Sequence, residues 1–346
     1  MLAWLEALTP KQAQLMIQIK GRLEKIGWKT IITTRKHDYT LGIFRLKKVK
    51  PVAIGVYGGA SSEGKLYASL YRSKKLLDLI SKLDEKPKVH ISLSSPDAVR
   101  VAFGLGIPII LLNDTPHSIF VNRLTLPLAD KILIPKAIPK EAFTYAAPPN
   151  RLIQYEGVDE VSWIKKLKPK ASVLRKLGLS RRDEIVVIRS EEVKASYYPK
   201  LMETPTIKVL SEIYGRNELK IVYFARYPDQ KKLISERFPR VIIPKRAVDA
   251  PSLIAFSRLV VTGGGTMARE GALLGIPSIS LFPAKLHVNE WLSAKGFPLW
   301  HFRRVEDAVE MMDKILDEPN KFRVNTSRML MELEDPVEVL LKILGR

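Results

Sequence analysis

The chain has 346 residues, is 46% hydrophobic and 27% charged, and carries 57 Lys+Arg against 36 Asp+Glu, a formal net charge of +21. These are globular proportions at a length comfortable for two ordinary domains, and the absence of cysteine excludes disulfides, thiolate metal sites and a thiol nucleophile. No apolar run approaches the roughly 18 residues of a membrane helix and the amino terminus lacks signal-peptide order, so a cytoplasmic protein is expected.

The first predicted element is a strand at 2–6. Thr9, Pro10 and Gln12 then suit N-cap, N1 and N3, a capping box that opens a helix running to Gly27. β-Branched runs predict strands at 29–34, 51–56, 88–93, 107–112 and 131–134, with helical patterns near 38–47, 65–83, 96–104 and 116–128. Pro135, Pro139, Pro148, Pro149 and Pro169 break this rhythm. It restarts with strands at 184–189, 219–224, 240–243, 259–262, 278–282 and 299–301, and helices near 203–214, 229–237, 250–256, 266–275 and 288–295. The alternation predicts an α/β protein of two doubly wound, mostly parallel sheets with a cleft between them. Residues 1–150 and 181–320 are the two Rossmann-like domains, 151–180 the connection, and 321–346 a helical tail that is a candidate for packing back on the first domain.

Between the strand at 259–262 and the helix after it the chain reads Thr262-Gly263-Gly264-Gly265-Thr266-Met267-Ala268-Arg269-Glu270. Each glycine costs conformational entropy, so three in a row predict a close approach to the backbone. The turn lies at the carboxyl end of a parallel strand, where open sheets bind ligands, and the helix start favours an anion such as phosphate. Gly263-x-Gly265-x-x-Ala268 matches the dinucleotide fingerprint, but it comes late in the chain and Pro283 to Leu286 stand where its acidic ribose ligand belongs. Glu270, one helical turn beyond Thr266, can accept hydrogen bonds from a ribose diol. The alternative is that Arg269 and Glu270 form an ordinary solvated helix face.

The segment 244–282, with Val248-Asp249-Ala250, the glycine turn, Glu270 and Gly275-Ile276-Pro277, resembles the nucleotide-binding half of GT-B glycosyltransferases. It also resembles the non-hydrolysing UDP-N-acetylglucosamine 2-epimerases, which share that fold. The whole chain is similar to the archaeal family called domain of unknown function 354. The matching stretches are Leu8-Thr9-Pro10-Lys11-Gln12, Gly58-Gly59-Ala60-Ser61, Ser94-Ser95-Pro96-Asp97-Ala98, Asn113-Asp114-Thr115-Pro116-His117 and the glycine turn. The resemblance implies a GT-B-like fold in which Gly263, Gly264, Gly265 and Thr266 hold a diphosphate, Glu270 binds the ribose, and the turn from Arg246 to Asp249, Val248 included, lies beside the base. It likens Arg189 to the basic residue that such enzymes place near the phosphates, a task suited to a guanidinium fork. An ion pair of Arg189 with Glu191 or Asp114 is the alternative.

The first half is then expected to take the acceptor or sugar. Asp97, Asp114 and His117 follow predicted strand ends there and are the catalytic candidates. Transfer needs a base for the acceptor hydroxyl, for which Asp114 and His117 are candidates, and an offset for charge on the leaving diphosphate, which Arg189 and the helix start at Thr266 can supply. The run from Gly58 to Gly64 reads either as a loop closing over the site or as a linker into the next helix. Ser94-Ser95-Pro96-Asp97 replaces the acidic, Thr-rich stretch of the epimerases, which favours transfer over epimerisation. No H-x-x-H, H-E-x-x-H or strand-end D-x-D is present, so neither a metal nor a tightly bound cofactor is expected.

The leading expectation is a metal-independent glycosyltransferase with a nucleotide-sugar donor, most simply UDP-linked, and a polar or lipid-linked acceptor. A UDP-N-acetylglucosamine 2-epimerase-like enzyme is the first alternative, and a non-catalytic nucleotide-sugar or nucleic-acid-binding protein the second. The basic excess admits a peripheral contact with an anionic membrane and leaves nucleic acid open as a partner. Oligomeric state is not readable.

Overall fold

The computed structural model describes residues 1–37, 39–193 and 204–345. The strands are β1 (Leu2–Ala7), β2 (Lys29–Lys36), β3 (Val52–Val56), β4 (Val89–Ser92), β5 (Ile109–Leu112), β6 (Lys131–Pro135), β7 (Leu152–Tyr155), β8 (Glu184–Arg189), β9 (Leu219–Phe224), β10 (Leu259–Thr262), β11 (Ser278–Ser280) and β12 (Leu299–His301). The first helices are α1 (Pro10–Lys25), α2 (Thr40–Leu46), α3 (Ser62–Ser81), α4 (Pro96–Gly104), α5 (Ile119–Thr125), α6 (Val161–Ile164) and α7 (Ser172–Lys176). They continue with α8 (Pro205–Ile213), α9 (Pro228–Arg237), α10 (Ala250–Ala255), α11 (Thr266–Leu273), α12 (His287–Ala294), α13 (Val305–Asp317), α14 (Pro319–Phe322), α15 (Ser327–Glu332) and α16 (Pro336–Ile343). Among the described residues no helix is long and apolar enough to cross a membrane.

The chain divides into one unit of Met1–Trp163 with Leu333–Arg346 and another of Ile164–Glu332. The first holds a seven-stranded parallel sheet in the order β3-β2-β1-β4-β5-β6-β7, and the second a five-stranded parallel sheet, β12-β11-β10-β8-β9. Strand order reverses between β1 and β4 in the first sheet and between β8 and β10 in the second, and such switch points are where doubly wound sheets accept ligands. Carboxyl-end loops at these two places carry most of the residues singled out in the sequence.

Local rules account for most elements. Thr9 caps α1, and Gly27 ends it at φ 82°, a left-handed angle that glycine adopts without cost. Departures from expectation have physical reasons. The run at 240–243 makes one isolated bridge, Val222 to Ile242, because it lies outside the β9 edge and Pro244 ends it. The expected connection at 151–180 contains β7, which pairs with β6 from Ile132–Leu152 to Pro135–Tyr155 behind a screen of prolines. The tail divides: α14 and α15 fall in the second unit, whereas Glu334 donates its amide to the Glu156 carbonyl at 2.8 Å within the first. Gly157 admits that approach, since a Cβ there would collide with the Glu334 carbonyl.

β1 is buried along its whole length, and its one charged residue, Glu6, is fully enclosed. The Glu6 carboxylate accepts from Thr33 of β2 and pairs at 2.5 Å with Arg72 of α3, itself 1% exposed. Arg72 also lies 3.3 Å from Asp97 of α4 and donates from Nε to the Ile54 carbonyl of β3 at 3.0 Å. Burial pushes the Glu6 pKa up and the Arg72 charge opposes it. One guanidinium thus fastens two helices to three strands. Arg72→Met should cost about 3–5 kcal/mol in urea unfolding because it strands Glu6 in the core, and Glu6→Gln combined with Arg72→Met should cost less than Arg72→Met alone.

Candidate functional site

In the second unit the carboxyl ends of all five strands meet in one register row of His301, Ser280, Thr262, Arg189 and Phe224. The glycine turn starts beside this row, and the Gly263 amide donates to the Arg189 carbonyl at 3.0 Å. The three glycines have different reasons. A Cβ on Gly263 would collide with Glu191, and one on Gly265 with the Arg269 guanidinium. One on Gly264 meets nothing within 4 Å among the described residues. The close approach expected of the turn is made twice by the protein's own charged side chains, and the third position is open.

Gly265 is the N-cap of α11, and no side chain caps that helix. Its first turn therefore presents amides and the positive dipole end beside the open face of Gly264. Gly264 donates to Thr262 Oγ1 at 3.3 Å, a long bond that a better acceptor displaces, while its carbonyl accepts from Thr262 and from Ser280 Oγ at 2.9 Å. Arg269 and Glu270 are each 4% exposed, so they are buried charges and not a solvated helix face. Arg269 Nη1 donates to Asn289 Oδ1 of α12 at 3.3 Å. Asn289 is wholly enclosed, and its Nδ2 donor has no hydrogen-bond partner among the described residues.

Arg189 is 8% exposed, and its Nη1 lies 3.4 Å from the carbonyls of both Phe224 and Ala225. Glu191, one of the ion-pair partners considered for it, instead caps α8: its carboxylate accepts from the Thr206 amide at 2.7 Å and hydroxyl at 2.6 Å. Burial pushes the Glu191 pKa up, and those two hydrogen bonds oppose it. Val248, two residues before α10, packs on the cluster of Leu253 and Ile254 that Met267 of α11 also joins. His301 has Nδ1 3.3 Å from Ser280 Oγ and Nε2 3.1 Å from the Ala284 carbonyl, and burial lowers its pKa.

In the first unit, Asp114 follows β5 and pairs with Lys11 of α1 at 2.5 Å. Lys11 also meets Asp159 at 2.7 Å and Glu160 at 3.9 Å, so three carboxylates share one ammonium. Tyr155 donates to Asp159 at 2.7 Å. Burial raises the Asp159 pKa above all, Lys11 lowers it, and Asp114 and Glu160 raise it further. His117 is half-buried in the loop after Asp114. That loop is fixed by Asn113, which donates to Ser94 Oγ at 2.9 Å and to Asn122 at 2.8 Å, while Ser94 holds an unusual φ of 53°. Asp97 has a different attachment, to Arg72 and Ser69 of α3.

The structure therefore gathers Arg189, Gly263, Gly264, Gly265 and Thr266 at one strand-end crossover, with Glu270 one turn along the helix. It joins Asp114 to Lys11 and gives Asp97 to the Arg72 network. Gly58 to Gly64 is a tight lead into α3: Ser61 caps the helix by accepting from the Gly64 amide, and a Cβ on Gly58 would collide with the Gly64 carbonyl. Sequence reasoning passed over Lys11, Asp159, Glu160, Ser280, His301 and Asn289. Ser280 and His301 were within reach of the same strand-end rule applied to Thr262, since each ends or nearly ends a predicted strand.

Comparison with known proteins follows the same lines. The model of the family described as "Protein of unknown function (DUF354)" matches residues 2–345. A relative from Methanocaldococcus jannaschii, "Uncharacterized protein MJ0665", is 31% identical over 344 residues, covering 97% of this chain and 96% of the relative. Among solved structures, the UDP-GlcNAc 2-epimerase of M. jannaschii in complex with UDP-GlcNAc and UDP superposes with a TM-score of 0.73 at 16% identity, covering 100% of this chain and 99% of that one. The spinosyn rhamnosyltransferase SpnG gives 0.62 at 15% identity, with 100% of both chains covered. The fold is GT-B-like, and the chain belongs to the DUF354 family.

Proposed function

We propose that the protein is a glycosyltransferase that takes a nucleotide-sugar donor, UDP-linked in the first instance, through its second unit and an acceptor hydroxyl through its first. The observation that carries this reading is the glycine turn at the β8–β10 crossover. It offers an uncapped helix start, an open Gly264 and, in Asn289, a buried donor without a partner, a set that suits the oxygens of a diphosphate. Arg189 and Arg269 supply positive charge against the leaving diphosphate. Glu270 takes the ribose hydroxyls, and the Val248 turn lies toward the base. In the first unit Asp114 or His117 receives the acceptor proton. Asp97, taken up by Arg72 and Ser69, serves as an anchor and not as a base. The M. jannaschii epimerase structure holds UDP-GlcNAc and UDP, which supports the choice of base and of a diphosphate-linked sugar.

One observation favours a second reading. Asp114, Asp159 and Glu160 around Lys11 form a group able to hold and return a proton, as 2-epimerisation requires, and the epimerase fold is the same. The two reactions separate cleanly: an epimerase converts UDP-N-acetylglucosamine alone, whereas a transferase releases UDP in proportion to added acceptor.

UDP or a UDP-sugar at 100 times its dissociation constant should stabilise the protein by about 2.7 kcal/mol in thermal unfolding. Gly264→Val, placed where a side chain meets nothing, should fold normally and lose that shift, and Glu270→Ala should weaken it. No shift with uridine, guanosine or thymidine diphosphates or their sugars sinks the nucleotide-sugar reading. An unchanged shift in both variants moves the ligand away from the turn.

A further inference from the structure

Helix α3 is apolar on two opposite faces. Arg72, Leu76 and Ile80 point into the first unit, whereas Leu66, Tyr67, Leu70, Tyr71 and Leu77 face solvent at 43% to 74% exposure. At about 100° per residue the two sets lie on opposite sides of the helix, and the outer set shares its side with the exposed Glu63, Lys74 and Asp78. Helix α5 is inverted. Its polar Asn122 and Thr125 are buried, with Asn122 bonded to Asn113, Tyr145 and the Thr115 carbonyl, while Ile119, Phe120, Val121 and Leu124 are 38% to 70% exposed. Both helices pack against α4, so they lie on the same face of the sheet. Applied to whole-residue areas, these fractions leave on the order of 600 Å² exposed on α3 and 400 Å² on α5, so the α3 stripe alone stands at the top of the roughly 300–600 Å² of the largest apolar patch of a typical monomer.

We propose that this face is a self-association surface, on which α3 pairs antiparallel with α3 of a second copy across a two-fold axis between Ala68 and Ser69. The register follows from the sequence of the exposed stripe. That axis sets Leu66 opposite Tyr71, Tyr67 opposite Leu70, and Glu63 opposite Lys74, so these four apolar residues meet one another, Leu77 lies beyond the paired turns, and each end closes on an ion pair. An anionic lipid surface is the other class of partner for an apolar face on a basic protein. The second copy is preferred because the exposed side carries Glu63 and Asp78 with Lys74 and Lys75, a balanced set that complements itself under the two-fold and offers no basic excess to an anionic surface. The inference is independent of the nucleotide site, which lies in the other unit.

Sedimentation equilibrium of the full chain tests it. Wild type should sediment at twice the 39.2 kDa chain mass. Leu70→Asp, at a solvent-facing position, should keep the circular dichroism spectrum of a folded chain and sediment as a monomer. Glu63→Lys and Lys74→Glu should each weaken association about tenfold, and the double exchange should return it to within about threefold of wild type. A wild type monomeric up to about 100 μM, or a dimer that Leu70→Asp leaves intact, overturns the proposal. So does a monomer that co-sediments with phosphatidylglycerol vesicles and loses that binding in Leu70→Asp, which would give the face to lipid. Failure of the double exchange to restore association overturns the register.

Discussion

The second unit's strand-end site depends on two missing side chains. Gly263 leaves room for Glu191 and Gly265 for the Arg269 guanidinium, and each of these charged groups ties the turn to a further helix. Glu191 caps α8 through Thr206, and Arg269 reaches Asn289 of α12. The turn is therefore held by α8, α11 and α12 as well as by its own strand. In the proposed reading, a loop fixed in this way loses little ordering entropy when the diphosphate arrives. It also explains why the motif tolerates no Cβ at two positions that no ligand need touch.

The first unit uses buried charge for a different end. Parallel strands enclosed on both faces leave little room for polar groups except at the carboxyl ends, and there the chain collects them in two sets with separate cations. Arg72 neutralises Glu6 and Asp97 at the crossover of α3 and α4, a mainly structural arrangement with its carboxylates saturated. Lys11 is outnumbered by Asp114, Asp159 and Glu160. Burial raises the Asp159 pKa above all there, with Lys11 opposing it and Asp114 and Glu160 adding to it. In the proposed reading Asp114, paired with Lys11, is the chemical acid, and Asp97, held by Arg72 and Ser69, is the structural one.

The fold was legible because its signal is long and redundant: alternating β-branched runs and capped amphipathic helices repeat along most of the chain, and a missed strand such as β7 does not disturb the pattern. The failures are local and share a cause. Whether 240–243 makes a strand depends on whether a neighbour exists to pair with it, and a single bridge to β9 is not a ladder. The glycine turn was legible from strand, turn and helix in sequence. The burial of Arg269 and Glu270 was not, because helical periodicity marks both as ordinary polar positions and only packing of α10 and α12 around α11 encloses them. Lys11 and Asp114 stand 103 residues apart, a distance across which one sequence carries no pairing signal.

The exposed stripe of α3 and the buried Arg72 belong to one helix, and that links assembly to the strand-end loops. Ser69 and Arg72 hold Asp97, whose helix begins just after Ser94, and Ser94 in turn receives Asn113 beside Asp114. On its inner face α3 is held by Arg72, which pairs with Glu6 and Asp97 and donates to the Ile54 carbonyl. The proposed second copy over Leu66, Tyr67, Leu70 and Tyr71 covers the outer face of the helix whose inner face carries these carboxylate anchors. From α3 the contacts run through hydrogen bonds and packed side chains to the loop that carries Asp114 and His117.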